Sequence, residues 1–203
     1  MGLSRAGFDV VGVDNRPQPR YPFTFVQGDA LCPPVRLEDF DFIWASPPCQ
    51  AYSQGAALWR KRKARVYPDL VAPTRGLLAA SGVPWVIENV VNAPVRPDLV
   101  LSGRMFGLRV ERRRLFEISG FFALQPVPQR HPRGALYRRE IVGVYRGRSM
   151  NNSTGEKVRS TTAQMADAMG IDWMPYHPLT QAIPPAYSEF IGRAALQYLR
   201  AAA

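Results

Sequence analysis

Residues 40–50 read Phe-Asp-Phe-Ile-Trp-Ala-Ser-Pro-Pro-Cys-Gln. The apolar run from Phe40 to Ala45 predicts a buried strand, because a short apolar stretch closed by a turn signal suits a strand covered on both faces. Ser46-Pro47-Pro48 ends it, since each proline fixes φ and removes an N–H from any ladder. Cys49 is therefore set on a stiff loop at a strand's carboxyl end. Working outward, Val10–Asp14, Phe23–Val26, Trp85–Val90 and Glu140–Tyr145 predict four further strands. Asp69–Ala80 carries apolar residues at helical spacing and predicts the crossover helix between the third and fourth strands. Thr162–Met169 predicts a short helix capped by Thr161 or Thr162 and ended by Gly170, and Ala186–Leu199 a terminal helix. Strands alternating with helices indicate an α/β fold with a doubly wound sheet. In such sheets ligands sit outside the carboxyl ends of the strands. Asp14, Asp29, Cys49 and Glu88 all fall at or just after such an end.

The 203 residues suit one domain with a core, spanning 1–203. Hydrophobic residues make up 46% and charged ones 21%, the balance of a globular rather than a disordered chain. Lys and Arg outnumber Asp and Glu by 26 to 16, and the resulting +10 favours a polyanionic partner, nucleic acid first. Cys32 and Cys49 cannot build a disulfide framework and lack metal-ligand spacing, and His131 and His177 stand alone, so no metal is expected. With no apolar run of about 18 residues and no signal-peptide pattern, no membrane association is expected and the cytoplasm is the expected location.

A cysteine after two prolines is by itself an ordinary turn residue. Glu88-Asn89-Val90 at the end of the next strand changes its reading. The pair, a PPCQ-type loop followed by ENV, resembles the cytosine-C5 DNA methyltransferase family. Further stretches match in the same order: Ala6-Gly7-Phe8 with Val11-Gly12-Val13-Asp14, then Gly28-Asp29-Ala30, then Arg112-Arg113-Arg114-Leu115-Phe116, and last Ala182-Ile183-Pro184-Pro185 with Gly192 beyond. The resemblance implies a Rossmann-like sheet binding S-adenosylmethionine, and a compact, phage-type enzyme acting on DNA as a monomer in a bacterial or phage-infected cell.

It also implies roles. Cys49 is the nucleophile that adds to carbon 6 of cytosine, and Glu88 supports charge at ring nitrogen 3. Arg112 and Arg114 hold the base's carbonyl and nearby phosphates through guanidinium forks. Asp14 and Asn15, Asp29 and Ala30, Pro48 and Gln181 contact the cofactor. Asn89 positions the loop, and Gln50, Tyr52 and Ser53 line the space left by a flipped base. Arg60, Lys61 and Arg62, within the basic run to Arg65, meet phosphate, which adds affinity without sequence choice. Trp44 and Trp85 read as core, and Cys32 as structural.

Three departures accompany the match. Family members begin with a strand and a Gly-rich turn before the segment matching Gly2 to Asp14, so a start upstream of Met1 is expected. A chain without that turn implies the alternative of a non-catalytic DNA-binding relative; the same chemistry on RNA or a free cytosine nucleotide is a third reading. Val110 stands where the family has Gln, and Gln181 where it has Asn. Finally, the stretch of roughly 117–170 leaves room for only a reduced target-recognition element, with the C-terminal helix 186–200 packing back on the catalytic core. Short or relaxed sequence specificity is expected.

Overall fold

The computed structural model describes residues 1–52, 67–127, 141–144, 149–150, 157–158 and 160–202. The described chain is mixed α/β, with helices α1 (Gly2–Ala6), α2 (Val71–Ser81), α3 (Thr162–Met169), α4 (Tyr176–Leu179) and α5 (Pro185–Ala202). Its strands are β1 (Val11–Asp14), β2 (Thr24–Gln27), β3 (Ile43–Ala45), β4 (Trp85–Asn89), β5 (Leu99–Leu101), β6 (Arg114–Ser119), β7 (Ser149–Met150) and β8 (Lys157–Val158). It divides into two compact units: residues 9–100, 114–125 and 193–203 form one, and residues 1–8, 101–113 and 126–192 the other.

The first unit carries the sheets that matter for the site. β1 pairs in parallel with β2, matching Asp14 to Gln27. A separate four-stranded sheet runs β3-β4-β6-β5. In it β3 is parallel to β4, with Ala45 opposite Ile87, whereas β6 is antiparallel to β4, with Glu88 opposite Phe116. The sheet is thus mixed, with an antiparallel strand that the sequence pattern did not mark. That strand is β6: Arg114-Leu115-Phe116-Glu117-Ile118-Ser119 places a carboxylate amid apolar residues, which disguises a strand. Glu140–Tyr145, expected as a strand, is not one across 141–144. The Val142 N–H donates to Arg109 O at 2.7 Å, and Val144 is buried in the apolar cluster of the second unit.

Period-two alternation sorts the sheet into two faces. Trp85 and Ile87 of β4 join Ile43, Ala45 and Leu115 in a cluster with Val71 and Leu78 of α2. On the opposite face Trp44 packs edge-on against Phe116, ring centroids 5.7 Å apart, and its indole N–H donates to Ser46 Oγ at 3.0 Å. Both tryptophans are therefore packing residues. All of β4 is buried, including Glu88 and Asn89. α2 ends on Gly82 at φ 71°, a left-handed cap that a side chain would strain.

A buried carboxylate fastens α2 to this sheet. Glu117, 2% exposed, receives the Arg75 guanidinium of α2 at 2.8 Å on each of its oxygens, and the Arg96 N–H at 3.0 Å. Arg75 also donates to Pro94 O at 2.7 Å. Beside it, Asp98 accepts from Arg96 Nε and from the Ile118 N–H, both at 2.8 Å, while Arg96 Nη2 donates to Ile118 O. The loop before β5 is thus stitched along β6 by side chains in place of a ladder.

The second unit is built on two helix contacts and one cluster. Gly2 and Gly192 let α1 lie against α5: a Cβ at Gly2 would fall 2.0 Å from Ser188 Oγ, and one at Gly192 3.0 Å from both Ala6 and Leu3. α3 starts with a capping box, Thr161 Oγ1 accepting from the Gln164 N–H while Gln164 Oε1 accepts from the Thr161 N–H. Its buried Met165, Ala168 and Met169 pack with Val110, Val144, Ile171 and Leu179.

Burial alone would raise the pKa of Glu117, but the Arg75 guanidinium and the Arg96 N–H outweigh it and hold the carboxyl below its ordinary value. A depressed carboxyl stabilises the fold above its unfolded pKa, and that stability is lost as pH falls through the folded value. Glu117→Gln should lower stability by about 2–3 kcal/mol at pH 7, the low end for a broken buried pair because Arg75 stays partly solvated. In urea titrations the gap between the variant and the wild type should narrow as pH falls below the ordinary glutamate value of about 4.3 and on through the lower folded value; a gap constant with pH would contradict the ion-pair account.

Candidate active site

Pro47, Pro48 and Cys49 follow β3, and Glu88-Asn89 close β4; since the two strands are parallel and adjacent, both stretches leave the sheet at one end. Cys49 opens a single 3-10 turn, Cys49–Ala51, in which the Tyr52 N–H donates to Cys49 O at 3.0 Å. Its thiol is unpaired by disulfide and half-buried. Pro48, with φ −50° and ψ 123°, sets the angle at which the turn begins.

Alternation gives Glu88 and Asn89 opposite faces of β4 and different work. Asn89, 1% exposed, donates from Nδ2 to Pro47 O at 2.9 Å and accepts the Val90 N–H on Oδ1 at 2.9 Å. It therefore ties the end of β4 to the loop that presents Cys49. Glu88 accepts from Arg114 Nε at 2.9 Å, across the diagonal of the antiparallel β4–β6 pair, and the side chains are only 10% and 13% exposed. Two groups read separately from the sequence are one buried ion pair.

Arg112 lies in the second unit, where it works on the protein itself. Its guanidinium donates to Ala182 O at 2.9 Å, Thr180 O at 2.8 Å and Val144 O at 3.1 Å. The hydroxyl of the buried Tyr187 donates to Arg112 O at 3.1 Å. Its backbone has φ 37°, among the described residues the one positive φ outside glycine, a conformation that persists where its surroundings hold it. Arg112 thus knots residue 144, the 180–182 turn and α5 together. Gln181 sits exposed between the two clamped carbonyls, with its N–H donating to Pro178 O at 2.9 Å.

Asp14 and Asp29 end up at the same end of the β1–β2 pair. Asp14 Oδ1 accepts the Arg16 N–H at 2.8 Å and Oδ2 the Gln18 amide at 3.3 Å. Asp29 Oδ1 accepts the Leu31 N–H at 2.9 Å, and the Gly28 N–H donates to Asp14 O at 3.0 Å. Asn15 O accepts from the Gln27 amide at 3.1 Å, and Asn15, Asp29 and Ala30 are exposed. Two carboxylates and main-chain carbonyls on an open rim form an acceptor set, which suits ribose hydroxyls and an exocyclic amine.

Ser53, Arg60, Lys61 and Arg62 lie outside the described residues, as does His131. Gln50 is half-buried within the Cys49 turn. Tyr52, expected beside a flipped base, packs against the α2 cluster and donates its hydroxyl to Asp69. Asp69 was not anticipated; its signal was an acidic residue two positions before a helix start. Among the described residues no group of three or more His, Cys, Asp or Glu is placed to hold a metal ion. No described helix is long and apolar enough to cross a membrane.

Comparison of the sequence with models of known protein families finds no match, and comparison with curated proteins finds no relative.

Because three carbonyls depend on one guanidinium, Arg112→Ala should destabilise the chain by about 2–4 kcal/mol, with Arg112→Lys recovering only part. Urea denaturation of the purified variants measures this. Wild-type stability in Arg112→Ala would contradict the structural role.

Proposed function

We propose that this chain methylates carbon 5 of cytosine in DNA, with Cys49 as nucleophile. The observation that carries the reading is the Asn89–Pro47 hydrogen bond beside the Glu88–Arg114 pair. It places a half-buried cysteine on a stiff turn and sets a buried carboxylate–guanidinium pair at the end of the neighbouring strand. That constellation supplies a nucleophile and a charge-stabilising group, the two parts an addition to an electron-poor ring needs.

Carbon 5 of cytosine is a weak nucleophile until a group adds at carbon 6. The Cys49 thiolate forms a bond to carbon 6, and the ring's electron pair moves toward nitrogen 3, where a proton shared between that nitrogen and the Glu88 carboxyl offsets the charge. Arg114 holds the Glu88 carboxyl group in place, and its guanidinium is proposed to contact the base's carbonyl oxygen. Carbon 5, now electron-rich, can take a methyl group as that methyl's bond to sulfur breaks and a neutral thioether leaves. The carbon-5 proton then passes to a base or to water, and its electron pair re-forms the C5–C6 double bond and expels the Cys49 thiolate. S-adenosylmethionine, when bound, supplies that methyl group on a sulfonium. Asp14 and Asn15, with Asp29 and Ala30, would hold its ribose and adenine on the β1–β2 rim, and Pro48 is proposed as a further contact. The Rossmann-like character of the sheet belongs to this reading.

DNA is favoured as substrate by the +10 charge and by the basic run that follows Cys49 in sequence. Arg60, Lys61 and Arg62 are proposed to meet phosphate, while Gln50 and Ser53 face a cytosine turned out of the duplex. Arg112 is proposed to act through the turn it clamps, not on the base. A monomeric enzyme of the cytoplasm, needing no metal, completes the proposal.

An oligonucleotide carrying 5-fluorocytosine tests it, because fluorine cannot leave carbon 5 as a proton does. With S-adenosylmethionine the chain should form a covalent adduct that peptide mass spectrometry maps to Cys49. Cys49→Ser should abolish the adduct, and Arg114→Ala should slow its formation by about 100-fold. Salt-sensitive DNA binding with no adduct would instead favour a non-catalytic DNA-binding relative.

A further inference from the structure

We propose that Tyr52 and Asp69 form a latch that holds the Cys49 turn in its reactive setting, making both of them positioning residues. The inference rests on Cys49 being the nucleophile.

Tyr52 closes the turn that Cys49 opens, its N–H donating to Cys49 O at 3.0 Å. Its ring packs among the apolar cluster of Val71, Leu78 and Trp85, and its hydroxyl donates to Asp69 Oδ1. The same Asp69 oxygen accepts the Val71 N–H at 2.9 Å, at the first residue of α2. A helix start thus fixes Asp69, and Asp69 fixes the far end of the turn. On the near side, Asn89 holds Pro47 O. Cys49 is therefore bracketed by one hydrogen bond from β4 and another to α2, both from elements of the same unit.

Packing alone does not require this arrangement. Phenylalanine would fill the cluster as well as tyrosine, and Asp69 would cap α2 without a phenol. The hydroxyl adds a tie between the two. Desolvation, followed by the bond to Asp69, pushes the Tyr52 phenol up to about 12, while that same bond chiefly holds the Asp69 carboxyl below its ordinary value. The proton thus stays on Tyr52 and the charge on Asp69 across neutral pH, which keeps the hydrogen bond charge-assisted. The carboxyl end of the Cys49 turn and the amino end of α2 cannot then drift apart, whatever path the intervening chain takes.

The test uses the full chain and two readouts. Brief iodoacetamide treatment followed by peptide mass spectrometry gives the alkylation rate of Cys49 relative to exposed Cys32, an internal control. Tyr52→Phe retains the ring and should change that ratio several-fold, with thermal stability nearly unchanged. On 5-fluorocytosine DNA it should slow adduct formation by about 10-fold without weakening DNA binding. Adding Asp69→Asn to Tyr52→Phe should slow the adduct no further, since both remove one interaction. An unchanged alkylation ratio and adduct rate in Tyr52→Phe would overturn the latch and spare the methyltransferase reading. A ratio that responds to Tyr52→Phe in a chain that never traps cytosine would support the latch and contradict that reading.

Discussion

The hydrogen bond from Asn89 Nδ2 to Pro47 O joins the two stretches on which the site depends. It can form because β3 and β4 are parallel neighbours, so the residues after Ala45 and those ending β4 emerge together. It persists because Asn89 is buried with its own Oδ1 satisfied by the Val90 N–H, leaving the amide one orientation. A proline-fixed loop held at a carbonyl by a buried amide has little freedom left. Alternation along β4 then sends Glu88 to the opposite face, where Arg114 meets it. One strand end thus carries a loop-holding amide and an ion-paired carboxyl group on adjacent residues.

Arginines perform most of the remaining fastening. Arg75 and Arg96 surround Glu117 and tie α2 and the loop before β5 to β6. Arg112 gathers three carbonyls in the other unit. A guanidinium suits these places because its planar fork satisfies several acceptors at once from one side chain. Part of the chain's basic excess is therefore structural. The basic run from Arg60 to Arg65 lies outside the described residues.

Much of this arrangement was legible in the residues. Apolar runs closed by turn signals located β1, β2 and β4 within one position and β3 at its carboxyl end, though three residues early at its start, and Thr161 or Thr162 marked the start of α3. Other features were hidden for physical reasons. β6 was masked by Glu117, whose burial is tolerable only because Arg75, remote in sequence, neutralises it. The 141–144 stretch has the composition of a strand, but its backbone partner is Arg109 rather than a sheet. Arg112 and Arg114 look equivalent in sequence, yet a positive φ at Arg112 directs it toward protein carbonyls while the alternation of β6 directs Arg114 to Glu88. The Tyr52–Asp69 tie could not be read in advance, since no short-range pattern links those two positions.

The measurement that tests the central claim most directly follows the hydrogen on carbon 5. DNA labelled with tritium at carbon 5 of cytosine is incubated with the chain and S-adenosylmethionine bearing a carbon-14 methyl group. The account predicts that tritium enters water in step with methyl transfer to DNA, and that both are lost in Cys49→Ser. Methyl transfer with the tritium retained would contradict it, because the acceptor would then be another atom and Cys49 would have no carbon 6 to attack.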